Sequence, residues 1–217
     1  MKVVPRIALL LAGLAFAGPA ARAQHTRLFP PQDLGQLEGP DRDVWQRPDQ
    51  IMDALEIADG SAVADLGAGG GWFTIRLARR VGPHGVVWAE DIQPEMIESI
   101  KRRVQREELR NVNPQLGTPL DPHLPAGSLD AVLTVDTYHE LEQPVTLLRN
   151  IARALKPRGL LGVIEFSKDG FGPGPAMEDR VDPERVIRDA RAAGLTLIAR
   201  PSFLRYEYML VFGHAGR

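Results

Sequence analysis

No cysteine occurs among the 217 residues. That removes thiolate nucleophiles, zinc–thiolate sites and iron–sulfur clusters from the available chemistry. It does not speak to export, because a domain of this size can dispense with disulfides. A basic excess is missing too: 26 Lys and Arg stand against 28 Asp and Glu, a formal charge of −2. A phosphate-binding surface needs positive charge, so the composition makes no case for a nucleic-acid partner. His25, His84, His123, His139 and His214 are scattered, without metal-ligand spacing, and no metal site is expected. No internal repeat or low-complexity tract breaks the chain. What is present is ordinary for a globular protein, with 44% hydrophobic and 25% charged residues. The length suits one domain with a large core, and the 18 prolines and 21 glycines point to many tight connections.

The opening residues differ from the rest. MKVVPR carries two positive charges, IALLLAGLAFA is apolar, and GPAARA ends in Ala21-Arg22-Ala23. This is the order of a secretory signal peptide, and the apolar run falls short of the roughly 20 residues that span a bilayer. Residues 1–23 are therefore expected to be a signal peptide and the product to be exported, to the periplasm of a bacterium. Its removal takes away Lys2, Arg6 and Arg22 and no acid, leaving 23 basic against 28 acidic residues, and with the apolar run gone no membrane span is expected to remain. Residues 24–47 are polar and turn-rich (RLFPPQDLGQLEGPDRD) and read as an irregular N-terminal arm.

From residue 48 to 217 one rhythm holds: apolar run, turn, amphipathic helix. RPDQIMDALEI opens a helix with Pro48 in its first turn, where the missing N–H costs little. The strand SAVADL precedes the helix GWFTIRLARRV, whose Phe73, Leu77 and Val81 share a face with core. Trp72 is read as core, with pocket wall as the alternative. The strand GVVWAED is followed by PEMIESIKRRVQREEL, apolar at Met96, Ile97, Ile100 and Val104, with its basic run on a solvated face near Glu98. A short strand lies at NVNPQLG and another at SLDAVLTVD. The helix VTLLRNIARAL packs through Leu148, Ile151, Ala152 and Leu155 before the strand GLLGVIEF. In VDPERVIRDARAAG, Asp182 is the N-cap, Pro183 the first helical residue and Gly194 the stop. LTLIAR and YEYMLVF pair as an antiparallel hairpin at the sheet edge. The implied class is α/β: a doubly wound, mostly parallel, seven-stranded sheet with helices on both faces. Ligands of such folds sit beyond the carboxyl ends of the strands, at the switch point.

The loop at that point reads VADLGAGGGWFT. A dinucleotide fingerprint needs G-x-G-x-x-G, but counting from Gly67 the third position is Trp72 and from Gly69 it is Thr74. No lysine follows the glycines, so a P-loop fails too. What remains is Asp65 followed by G-x-G-x-G. An acid on the loop repels pyrophosphate and suits a ligand with a cationic group. The second strand ends in Glu90-Asp91, about 20 residues past the glycines, where an acid accepts hydrogen bonds from ribose hydroxyls. A nucleoside carrying positive charge and no phosphate fits, and S-adenosylmethionine is such a molecule.

From about Trp45 onward the chain resembles the class I S-adenosylmethionine-dependent methyltransferases. The resemblance rests on VADLGAGGGWFTIRLA, VVWAEDIQPEMI, LPAGSLDAVLTVDTYHEL, ALKPRGLLGVIEF and YEYMLVF, in that order. It implies that Asp65, Gly67, Gly69 and Gly71, with Ala68 between them, hold the methionine part. It places Asp91 at the ribose, Ile92 on the adenine and Thr118, where the family commonly has an acid, at the adenine amino group. Asp136 joins the cofactor-binding set. ALKPRG departs from the usual L-K-P-G-G turn at Arg158.

The loop Val135-Asp136-Thr137-Tyr138-His139-Glu140 follows the fourth strand and is the best place for a methyl acceptor to meet protein groups. His139 can take an acceptor proton, its unperturbed pKa being near 6.5, and Tyr138 can orient the acceptor. The alternative for His139 is a structural histidine paired with Glu140 or capping the next helix. Glu165, ending the fifth strand, ranks second. The expected activity is methyl transfer to a small-molecule acceptor; the competing expectation is an exported nucleoside-binding module without transfer chemistry.

Overall fold

The computed structural model describes residues 28–169 and 172–216. The expected signal peptide lies outside the described residues. Seven strands form one sheet: β1 Ala62–Leu66, β2 Val86–Asp91, β3 Val112–Leu116, β4 Leu129–Val135, β5 Leu155–Phe166, β6 Leu195–Ala199 and β7 Glu207–His214. Their order is β3-β2-β1-β4-β5-β7-β6. The pairs among β1 to β5 are parallel, whereas β7 runs antiparallel between β5 and β6. The chain order therefore reverses between β1 and β4, and the site is expected at their carboxyl ends.

Successive residues of the central strands alternate between two cores, the period of a sheet buried on both faces. Val63, Ala131, Leu133, Leu160, Ile164 and Met209 enter one core, with α2 Pro48–Ala54, α3 Trp72–Val81 and α4 Pro94–Arg106. Ala64, Val132, Leu161, Val163 and Leu210 enter the other, with α5 Pro144–Ala154 and α6 Pro183–Ala192. The Asp182 side chain accepts from Glu184 N at 2.8 Å, as its cap position requires, and Gly194 takes φ +91° where α6 stops. The stretch ALKPRG is not a free turn: β5 begins at Leu155, opposite Leu129, and its register slips before Leu160 meets Ala131. Lys156 in that slip pairs with Asp130 at 2.7 Å, while Arg158 is exposed.

Two expectations change. The arm is not irregular throughout, for it carries a 3-10 helix at Pro31–Leu37 and a short helix, α1, at Arg42–Gln46. Tertiary contacts sustain these brief elements, since propensity alone does not support helices this short. The basic run of α4 is also only partly solvated. Lys101 pairs with Glu98 at 2.7 Å, as its spacing suggests, but Arg103 turns to the arm. Its guanidinium grips both carboxylate oxygens of Glu38 and donates to Gly70 O at 3.0 Å.

Candidate active site

One cavity of about 530 Å³ opens at the carboxyl ends of β1, β2 and β4. The loop after β1 forms its floor. Gly67 and Gly69 take φ +67° and +53°, in the left-handed region that glycine adopts without penalty. A Cβ on Gly67 would stand 2.3 Å from Thr137 Cγ2, so the loops after β1 and β4 touch through that missing methyl. The chain ties the first two turns together as well. Gly69 N donates to Asp91 Oδ2 at 2.9 Å, Ala68 N to Glu90 O at 2.8 Å, and Gln93 N to Asp91 Oδ1 at 2.9 Å.

Three carboxyl groups line this floor. Asp65 accepts from Thr74 Oγ1 at 2.6 Å, and burial pushes its pKa up to about 6. Burial, reinforced by Asp91, pushes Glu90 to about 8, so it keeps its proton at neutral pH. Asp91 is raised for the same reason, although the N–H groups of Gln93 and Gly69 oppose the shift. A charge placed at such a site is costly unless it is paired, and this favours a ligand that brings a compensating group.

The loop after β4 forms the opposite wall. Asp136 adopts φ +53°, and its carboxyl interacts with that of Glu207; Asp136 Oδ1 and Glu207 Oε2 are both buried without a donor among the described residues. Burial raises both acids, so the pair retains a proton. Gln46, fully buried, donates to Glu207 Oε1 at 2.6 Å. Arg42, also buried, is hydrogen-bonded to Gln46, and its guanidinium lies 4.2 Å from the Trp72 ring centroid. Burial lowers the pKa of Arg42, against the charges of Asp136, Glu207 and Asp65. Asp43 holds α1 in place through Arg76, at 2.6 and 2.8 Å from Nη2, and Arg76 covers Trp72 on the ring at 3.4 Å. The arm also closes over the cavity through Phe29, whose N donates to Glu140 at 3.1 Å and whose O accepts from Gln93.

Most of the expected residues meet here. Asp65, Gly67, Ala68, Gly69, Asp91, Ile92, Thr118, Asp136 and His139 all line the cavity. Two of the expected residues, Gly71 and Tyr138, stand outside the lining. Gly71 is the N-cap of α3 at φ +81°, behind the lining, and Gly70 takes its place. Thr118 bonds within its own turn: its hydroxyl accepts from Asp121 N at 3.0 Å and donates to Asp121 O at 3.1 Å. Tyr138 does not reach the cavity. It is 2% exposed, and its hydroxyl donates to Asp189 Oδ2 at 2.8 Å in the core beneath α6. The backbone enters a 3-10 turn at Tyr138–Glu140, which sends residues 138 and 139 to opposite sides. His139 pairs with Glu165, at 3.0 Å from Nδ1, and not with Glu140. Trp72 is both core and wall. Arg42, Gln46 and Glu207 are not among the expected residues: RDVWQRP carries no spacing that announces the first two, and YEYMLVF reads only as an edge strand.

Known proteins share this fold. Residues 63–159 match the model of the methyltransferase domain family. A methyltransferase from Aquifex aeolicus, described as S-adenosylmethionine-dependent, superposes with a TM-score of 0.81 at 26% identity, over 85% of this chain and 98% of that one. The matched residues and the fold are thus similar to those of S-adenosylmethionine-dependent methyltransferases. The ubiquinone/menaquinone biosynthesis C-methyltransferase of Pasteurella multocida is 35% identical over 60% of this chain and 48% of its own length. Nocamycin O-methyltransferase of Saccharothrix syringae is 30% identical over 52% of this chain and 41% of its own. The chain thus spans about half the length of the curated relatives it matches, or less.

Proposed function

We propose that the protein transfers a methyl group from S-adenosylmethionine to a small-molecule acceptor bound against the loop after β4. The observation that carries this is the charge arrangement of one cavity: Asp65 and Asp136 face it together with a single buried guanidinium, Arg42. That donor set suits an amino-acid head. Asp65 and Asp136 would pair with its ammonium and Arg42 with its carboxylate, while Gly67 to Gly70 let it lie close to the backbone. Asp91 would accept from the ribose hydroxyls, and Ile92 and Leu141 offer apolar surface to a base. Such charged hydrogen bonds contribute about 1.5–3 kcal/mol each. When bound, the cofactor supplies a methyl on a sulfonium, open to in-line displacement. The protein aligns the acceptor and excludes water, and the arm from Phe29 to Arg42 serves that exclusion.

We further propose that residues 1–23 direct export, supported by the basic, apolar and A-x-A order at the start of the chain. Export would separate the protein from the cytoplasmic source of the cofactor, which favours as second reading a module that binds without transfer. Calorimetry on the full chain separates these readings. Heat with both S-adenosylmethionine and its demethylated product, together with methyl transfer to members of an acceptor panel, is the expected result. Binding with no transfer supports the second reading, and absence of binding overturns both.

A further inference from the structure

We propose that Glu165 is a positioning residue that holds His139 as the base for a hydroxyl acceptor of the phenol or enol type. The proposal rests on the methyl-transfer reading above and names the acceptor class of that site.

The geometry begins at the end of β5. Glu165 is fully buried, and both of its carboxyl oxygens are used on the loop after β4. Oε1 accepts from Tyr138 N at 2.6 Å and Oε2 meets His139 Nδ1 at 3.0 Å. In this assignment Nδ1 is the protonated nitrogen and donates to Glu165 Oε2. Nε2 is then the lone-pair nitrogen of the neutral ring. His139 lines the cavity, with its side chain 14% exposed, whereas that of Glu165 is 1% exposed. One buried acid therefore fixes the ring's orientation, its tautomer and the backbone turn that carries it.

The groups facing His139 favour a base over an inert ring. Burial works against the imidazolium, but the hydrogen bond and charge of Glu165, with Glu140 and Asp136 on its own loop, outweigh burial and raise the pKa above 6.5. Beyond Asp136 stand Glu207 on β7 and Arg42 on α1. A base of this strength can take a proton from a phenol or enol, whose acidity is like that of a tyrosine near 10, and not from an aliphatic alcohol. The surrounding wall suits a flat apolar framework: Phe29, Leu147, Phe166 and Pro175 line the cavity. In the transfer the O–H proton passes to His139 Nε2 and the oxygen bonds to the methyl carbon. The electron pair of the breaking carbon–sulfur bond stays on sulfur, and the product ether leaves uncharged.

The test uses the full chain with isotopically labelled histidine, His139 being assigned by its loss in His139→Gln. In the wild type, nitrogen shifts should report an Nδ1–H tautomer and a titration above 6.5. Glu165→Gln should lower that titration and mix the tautomers while leaving calorimetric affinity for the demethylated cofactor unchanged. Transfer should favour phenols and 1,3-diketones over primary amines and thiols of similar framework. The acid limb of kcat should move down with Glu165→Gln, and kcat should fall at least tenfold. Glu165→Asp, which keeps the charge, should retain a higher His139 titration than Glu165→Gln; if Glu165→Gln does not fold, a wild-type titration at or below 6.5 overturns the role of Glu165. An unmoved tautomer and titration in a folded Glu165→Gln also overturn it. Cofactor binding without transfer to any phenol or enol, or with amines preferred, overturns the acceptor class. Absence of cofactor binding by the wild type instead overturns the underlying methyl-transfer reading.

Discussion

Substituting Gly67 tests whether the β1 and β4 loops must touch for the site to exist. Alanine there would keep φ near +67°, a left-handed conformation that costs an L-residue about 1–2 kcal/mol. Its Cβ would also stand 2.3 Å from Thr137 Cγ2 and 2.5 Å from Thr137 Oγ1, distances at which something must shift. Overpacking of a fixed contact costs about 1–3 kcal/mol. The two together predict that Gly67→Ala loses about 2–5 kcal/mol in urea unfolding. Because Ala68 N bonds Glu90 O from the same loop, cofactor affinity should fall as well. Thr137→Ala in the Gly67→Ala background removes the two closest atoms and leaves Cβ at 3.0 Å. It should recover most of the packing loss but none of the conformational cost. A Gly67→Ala chain within about 1 kcal/mol of the wild type, or a double variant that recovers nothing, would refute the contact argument.

Two further outcomes follow from the buried charges. Burial lifts Glu90 from 4.5 to about 8, so between those values the folded protein keeps a proton that the unfolded chain has released. Stability must then fall as pH rises through that window, by up to about 5 kcal/mol for this group at 1.36 kcal/mol per unit. Glu90→Gln should flatten the dependence of unfolding free energy between about pH 5 and 8, and an unchanged slope would count against the shift. Arg42→Lys keeps the charge but cannot reproduce the planar contact with Trp72 or the guanidinium bond to Gln46. Calorimetry should show a 10–100-fold loss of cofactor affinity, on the order of one charged hydrogen bond, and an unaltered affinity would remove Arg42 from the site.

The sequence by itself determined the periodic features, because they arise from local chemistry. Alternating apolar runs placed every strand, Pro48 and Pro183 marked helix starts, and Gly194 marked a stop. The spacing of Gly67, Gly69 and Asp91 left one ligand class standing, since glycine freedom and an acid at a strand end act within a few residues. Tertiary structure alone decided which side of its turn each polar group faces. Tyr138 and His139 are neighbours with equal claims on paper, yet a 3-10 turn sends one hydroxyl to Asp189 and leaves the other ring at the cavity with Glu165. Arg42 and Gln46 belong to a stretch with no readable period. They join the site because Asp43 reaches Arg76, 33 residues along the chain, and Gln46 reaches Glu207, 161 residues along. No local rule encodes such contacts, for their free energy comes from burial and pairing that exist only once the sheet has formed.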